Sequence, residues 1–338
     1  MAVAVAALAI APCASALSPD LRTSQLYHTA WTAKDGAPTG VEFLAQTSDG
    51  YLWLAAAAGL FRFDGVRFER IDVVGGERLP SSSIMTLFAP RSGGLWVGYR
   101  FGGASFIKDG KISSYGEQEG LPIASVTRFA EDPAGIVWAT TSGGLRRFDG
   151  SLWEDVRETL NLSSDYVKTP LRVARDGSLW IVSGHAVLVL RQGATVFAAT
   201  GIETSDGEVD FVEAPDGTLW LSDENLGARA VYVPGDASTT SQNWIALRSA
   251  RHETLWGKLV DRDGTLWMAS PTGIHRLADV ARLLDPRSAA AAAQDASANA
   301  DSLMTQYAAA FLEDREGNVW IGTTAGLDRF REPRVARV

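Results

Sequence analysis

The sequence predicts an all-β fold, a seven-bladed β-propeller closed by an N-terminal strand that completes the last blade. Three observations carry this expectation. A tryptophan preceded by an aliphatic residue and, three positions back, by a glycine occurs seven times, from Gly50-Tyr51-Leu52-Trp53 to Gly317-Asn318-Val319-Trp320. The spacings between these tryptophans are 43, 42, 42, 40, 47 and 53 residues, the period of a four-stranded blade. An unpaired strand precedes the first copy, and the last copy ends without a fourth strand of its own.

Taken in order, the chain opens on an apolar run, Met1–Ala11, followed by Ala14-Ser15-Ala16. The run and the A-x-A pattern predict a signal peptide over residues 1–16, cleaved before Leu17. A lipid anchor on Cys13 is disfavoured by Pro12 directly before it. Leu26–Thr32 is the orphan strand. Val41–Gln46 then runs to Ser48-Asp49-Gly50, a turn that needs positive φ. Tyr51–Ala55 is the tryptophan strand, Leu60–Phe63 the third, Asp64-Gly65 the next turn and Val66–Ile71 the fourth. The same plan repeats through residue 332, so residues 26–332 form the propeller. Asp223–Gly227 lengthens one loop, and 287–300, with five consecutive alanines, is an insertion. Residues 333–338 form a tail toward a downstream region. The tryptophans have a packing role, since a large flat ring fills the wedge between blades.

Composition narrows the function. The 338 residues carry 31 basic and 40 acidic side chains, a net charge of −9, with no Lys/Arg block. That balance argues against a nucleic-acid partner, which needs a basic footprint. One cysteine and four unclustered histidines leave no disulfide framework and no metal motif. Asp261-Arg262-Asp263-Gly264 has part of a calcium loop, but it occupies a hairpin turn of the repeat and lacks the bidentate glutamate. No P-loop, dinucleotide fingerprint or nucleophile elbow is present, so neither a cofactor nor a catalytic residue is assigned. Apart from Met1–Ala11, no stretch approaches the ~20 apolar residues of a membrane span.

The units Asp49-Gly50-Tyr51-Leu52-Trp53…Gly59-Leu60-Phe61-Arg62-Phe63-Asp64-Gly65 and Arg315–Phe330 resemble the two-component regulator propeller repeat. The resemblance covers about residues 26–332. It implies the periplasmic sensor region of a bacterial histidine kinase, hybrid two-component receptor or diguanylate cyclase. It also implies a downstream membrane-linked transmitter domain and a homodimeric receptor. This chain carries no transmitter motifs of its own.

If a ligand binds, the loops after the second and fourth strands share one face of a propeller. There the polar departures from the repeat are Tyr99, Arg100, His185, Asp223, Glu224 and Asn225, with Arg251 and His252 in the connection into the sixth copy and Trp31 as an exposed aromatic. Of these, Trp31, Tyr99, Arg100, His185, Asp223 and Arg251 are the candidate ligand-binding residues, for a small molecule or an oligosaccharide. Arg128, Arg172 and Asp210 lie on innermost strands, facing the central channel. The alternative is an enzyme resembling the streptogramin-inactivating lyases, or a carbohydrate-binding lectin, on the same scaffold. Fold alone does not choose between them.

Overall fold

The seven glycines that stand three residues before the tryptophans all adopt left-handed backbone, with φ between +80° and +94°. Each closes the hairpin between a first and a second strand, a conformation that costs a residue with a Cβ about 1–2 kcal/mol. The computed structural model describes residues 17–18, 21–162, 167–235, 243–247, 256–270, 273–285, 288, 291 and 308–333. Met1–Ala16, Arg251, His252, most of the 287–300 insertion and residues 334–338 lie outside them.

Seven antiparallel sheets follow one another along the chain. Blade one is Val41–Gln46, Leu52–Ala56, Gly59–Phe63 and Phe68–Arg70. Blades two, three and four repeat this four-stranded order from Ile84–Phe88, Val126–Glu131 and Val167–Val173. Blades five and six show three strands among the described residues, beginning at Val209–Glu213 and Trp256–Val260. Blade seven is built from Ala308–Glu313, Val319–Thr323 and Gly326–Arg331, and its outer strand is Tyr27–Thr32. One element is unforeseen. Val73–Val74 and Glu77–Arg78 form a small hairpin over Gly75-Gly76 between blades one and two.

Burial explains why the tryptophans recur. All seven are at most 6% exposed. Among the described residues the buried apolar side chains fall into seven clusters, each holding one repeat tryptophan and the facing strands of the next blade. Trp138 of blade three, for example, packs with Leu171, Leu179 and Ile181 of blade four. In blades three, six and seven the indole N–H donates to the aspartate that opens the adjoining turn. The acceptors are Asp132 at 3.1 Å, Asp261 at 2.8 Å and Asp314 at 2.7 Å. The Asp261 carboxylate also accepts the backbone N–H groups of Thr265 and Asp263, so that segment is a turn. Burial pushes its pKa up.

The ends of the chain meet in blade seven, where Tyr27–Thr32 pairs antiparallel with Gly326–Arg331 over six residues. His28 Nε2 lies 2.6 Å from Asp328 Oδ1, and its ring stacks on Phe330. Pairing both edges in this way leaves no open strand at the junction.

The closing pair sets a test. A Cβ on Gly326 would lie 2.1 Å from the carbonyl oxygen of Trp31, whereas one on Gly50 meets open space. Gly50→Ala should cost only the left-handed backbone penalty of about 1–2 kcal/mol. Gly326→Ala must also push the closing strand away, so its denaturation midpoint should fall well below that of Gly50→Ala. Equal midpoints would show that the strand bears little of the ring's stability.

Candidate functional site

The first strand of each blade faces the axis, and six of the seven depart from regular pairing at their start. One extra residue is inserted at Glu42, Met85, Thr127, Lys258 and Ala309, and a longer irregularity spans residues 168–170. A bulge of this kind re-aims side chains and bends the strand. Glu42, Met85, Lys168, Lys258 and Ala309 all line an axial cavity of about 600 Å³.

The cavity wall has two sectors. Blades seven, one and two supply a mainly apolar arc of Ala310, Phe311, Phe43, Leu44, Met85 and Leu87, with one acid, Glu42, among them. Blades three to six supply a charged arc of Arg128, Lys168, Asp206, Glu208, Asp210 and Lys258. Within it, Arg128 Nη2 donates to Asp210 Oδ2 at 3.0 Å, joining blades three and five. The Arg128 guanidinium also lies 5.6 Å from the centroid of the Phe43 ring in blade one. Lys258 Nζ donates to Glu208 Oε2 at 3.0 Å. Lys168 is 9% exposed and donates to Thr204 Oγ1 at 3.2 Å and to the Ser205 carbonyl. Concave, mostly preformed and carrying a few convergent polar groups, this has the form of a small-molecule site.

The loop residues expected from sequence are dispersed. Tyr99 belongs to the core at 0% exposure, as the last residue of strand Leu95–Tyr99, and its hydroxyl donates to Ser105 Oγ at 2.9 Å. Asp223 is also fully buried. It accepts from Ser205 N–H and Oγ and from the backbone of Asn225 and Leu226, and so organises its own turn. Trp31 is a packing residue of the closing strand, stacked 5.6 Å from Trp320 and edge-on to Phe63. Tyr99 and Asp223 present no free face to a ligand, and Trp31 is partly buried. Arg100 and His185 are exposed, the first 4.0 Å from Glu42 and the second 3.4 Å from Asp206. Both partners line the cavity, so these two stand beside its mouth. Arg251 lies outside the described residues. Of the channel candidates, Arg128 and Asp210 line the cavity, whereas Arg172 pairs with Glu213 farther along its strand.

Phe43, Phe311, Lys168 and Glu208 were not anticipated. For Phe43, Phe311 and Lys168 a signal existed in the second to fourth residues of each first strand, where charged, aromatic and small side chains alternate between copies instead of repeating.

A sequence model of the two-component regulator propeller family matches residues 302–325. That segment matches one copy of the two-component regulator propeller repeat. No curated protein matches it by sequence. Among solved structures, the propeller resembles the extracellular domain of BT3049, assigned to a hybrid two-component system of B. thetaiotaomicron, with a TM-score of 0.62 and 17% identity. That match covers 90% of this chain and 42% of the other. The extracellular domain of BT4673 of the same organism gives 0.62 and 16%, over 91% of this chain and 40% of the other. Virginiamycin B lyase from Staphylococcus aureus gives 0.59 and 14%, over 91% and 99%. These likenesses show the fold. The chain thus spans about two fifths of the length of the receptor structures it resembles.

Tyr99 carries a measurable signature of its burial, which pushes its hydroxyl up to about 12 from 10.0. The folded state therefore holds this proton more tightly than the unfolded chain. Its contribution to stability is complete below about pH 10 and declines as pH rises from there toward 12, by about 1.4 kcal/mol per pH unit. Tyr99→Phe should remove that alkaline slope, read as the difference between wild type and variant in urea unfolding on either side of about pH 10. An identical slope in both would place Tyr99 in water.

Proposed function

We propose that this chain is the extracytoplasmic sensor propeller of a two-component receptor, and that it takes a small-molecule or oligosaccharide ligand in the axial cavity. The observation that carries this reading is the cavity itself. Every blade contributes to it, and polar side chains from blade one and blades three to six converge on its wall. The repeat and the extracellular receptor domains it resembles support the sensor role. A downstream membrane-linked transmitter and a homodimeric receptor follow from the same likeness.

The lyase neighbours keep an enzyme in view. A structure of the catalytically inactive virginiamycin B lyase has a histidine replaced by alanine. In the present chain no histidine lines the cavity among the described residues. His28 pairs within blade seven, His275 is 3% exposed, and His185 stands at the mouth.

Export is part of the reading. Leu17 is 1% exposed, packed with Leu26, Trp267 and Phe330, so the folded body includes the residue that follows Ala16. Among the described residues no helix is long and apolar enough to cross a membrane. Mass spectrometry of protein from its native host should find Leu17 at the mature N-terminus. Intact Met1 on cytoplasmic protein would refute export.

Ligand binding is tested by a thermal-shift screen of small molecules and oligosaccharides, with hits titrated on variants. Arg128→Ala should weaken a hit by about 10- to 150-fold, the range for one lost charged hydrogen bond. Arg100→Ala, at the mouth, should weaken it less. A hit indifferent to both Arg128→Ala and Phe43→Ala would move the site off the axis, and turnover of a hit would make the chain an enzyme.

A further inference from the structure

Lys168 has an uneven set of partners. Its ammonium has three N–H donors. Two go to neutral oxygens, Thr204 Oγ1 and the Ser205 carbonyl. Among the described residues no carboxylate pairs with it, although the side chain is nine-tenths buried and lines the cavity. A buried charge without a counter-charge is costly unless something else supplies one. The other cavity cations are matched, Lys258 by Glu208 and Arg128 by Asp210. Arg128 keeps its Nε buried with no acceptor in the protein.

Resting on the binding reading above, we infer that the cavity recognises a small organic monocarboxylate with an apolar body. The carboxylate takes the free N–H of Lys168. The hydrocarbon or aromatic part lies across the axis on Phe43 and Phe311. Carboxylate and body thus meet the charged and the apolar arc respectively. A cationic ligand fits less well. Glu208 and Asp210 already hold cations, and the remaining acids, Glu42 and Asp206, are 53% and 95% exposed, where water screens them. A neutral ligand would leave the Lys168 charge unanswered.

Phenylacetate, 3-phenylpropionate and hexanoate are the probes, each titrated by calorimetry beside its primary amide. The acids should bind about 10- to 150-fold more tightly than the amides, as expected for a charge-assisted hydrogen bond. Lys168→Met keeps the length of the side chain and should erase that preference. The acid–amide comparison on wild-type protein stands alone if the variant does not fold. Equal binding of acid and amide would overturn the ligand class while keeping the axial site. So would binding of a neutral saccharide that Phe43→Ala abolishes and Lys168→Met leaves alone. If none of the six probes binds, the monocarboxylate assignment fails. The sensor reading fails separately, on a hit that ignores the cavity variants.

Discussion

One packing event, repeated seven times, holds the ring: the indole of each second strand is buried against the facing strands of the next blade. Because every cluster spans two blades, no blade can complete its core alone. Closure then becomes a requirement. Trp320 of blade seven finds Val41, Leu52, Leu54 and Phe63 of blade one only if the chain ends meet. Trp31 on the closing strand lies on top of that seam, with Arg329 over its ring at 5.2 Å. Part of its aromatic surface is buried there.

A polar counterpart runs around the face where the first strands end. Arg91, Arg175 and Arg262 each follow a first strand and donate backbone N–H to the glutamate ending the first strand of the next blade, at 2.8, 2.7 and 2.9 Å. Arg315 does the same to Gln46 at 3.0 Å, linking blade seven to blade one. Their guanidinium groups reach onward to backbone carbonyls of the next turn, as Arg262 does to Asp314 at 2.6 Å. Such exposed contacts add little energy singly. They fix the register in which neighbouring blades meet, a geometry that burial alone leaves loose.

What was legible in the sequence follows from periodicity. Glycine turns and buried tryptophans recur because every seam has the same shape, so blade number could be read from spacing, and closure from the unpaired strand ahead of the first copy. The site could not be read so directly. Tyr99 and Asp223 break the repeat as a buried phenol and a turn-capping carboxylate, so a departure from pattern does not by itself mark an exposed residue. The axial residues hide for the opposite reason. Alternation along a strand tells inside from outside only while the pairing stays in register. The bulges at Glu42, Met85, Lys258 and Ala309 shift that parity just where the strands meet the axis.

The bulges also connect architecture to function. Regular first strands would present the same two faces along their whole length, one to each neighbouring blade. An irregularity near the start of six of the seven strands frees side chains from those seams without disturbing the tryptophan clusters farther along. The ring can then vary its axial residues blade by blade while its seams stay constant. The apolar arc falls on blades seven, one and two, which flank the closing seam, and the charged arc on blades three to six. A ligand touching both arcs therefore bridges the blades that close the ring and those opposite them. Its binding energy adds to the stability of the closed ring by mass action. That coupling gives a rigid scaffold a way to report occupancy without a hinge.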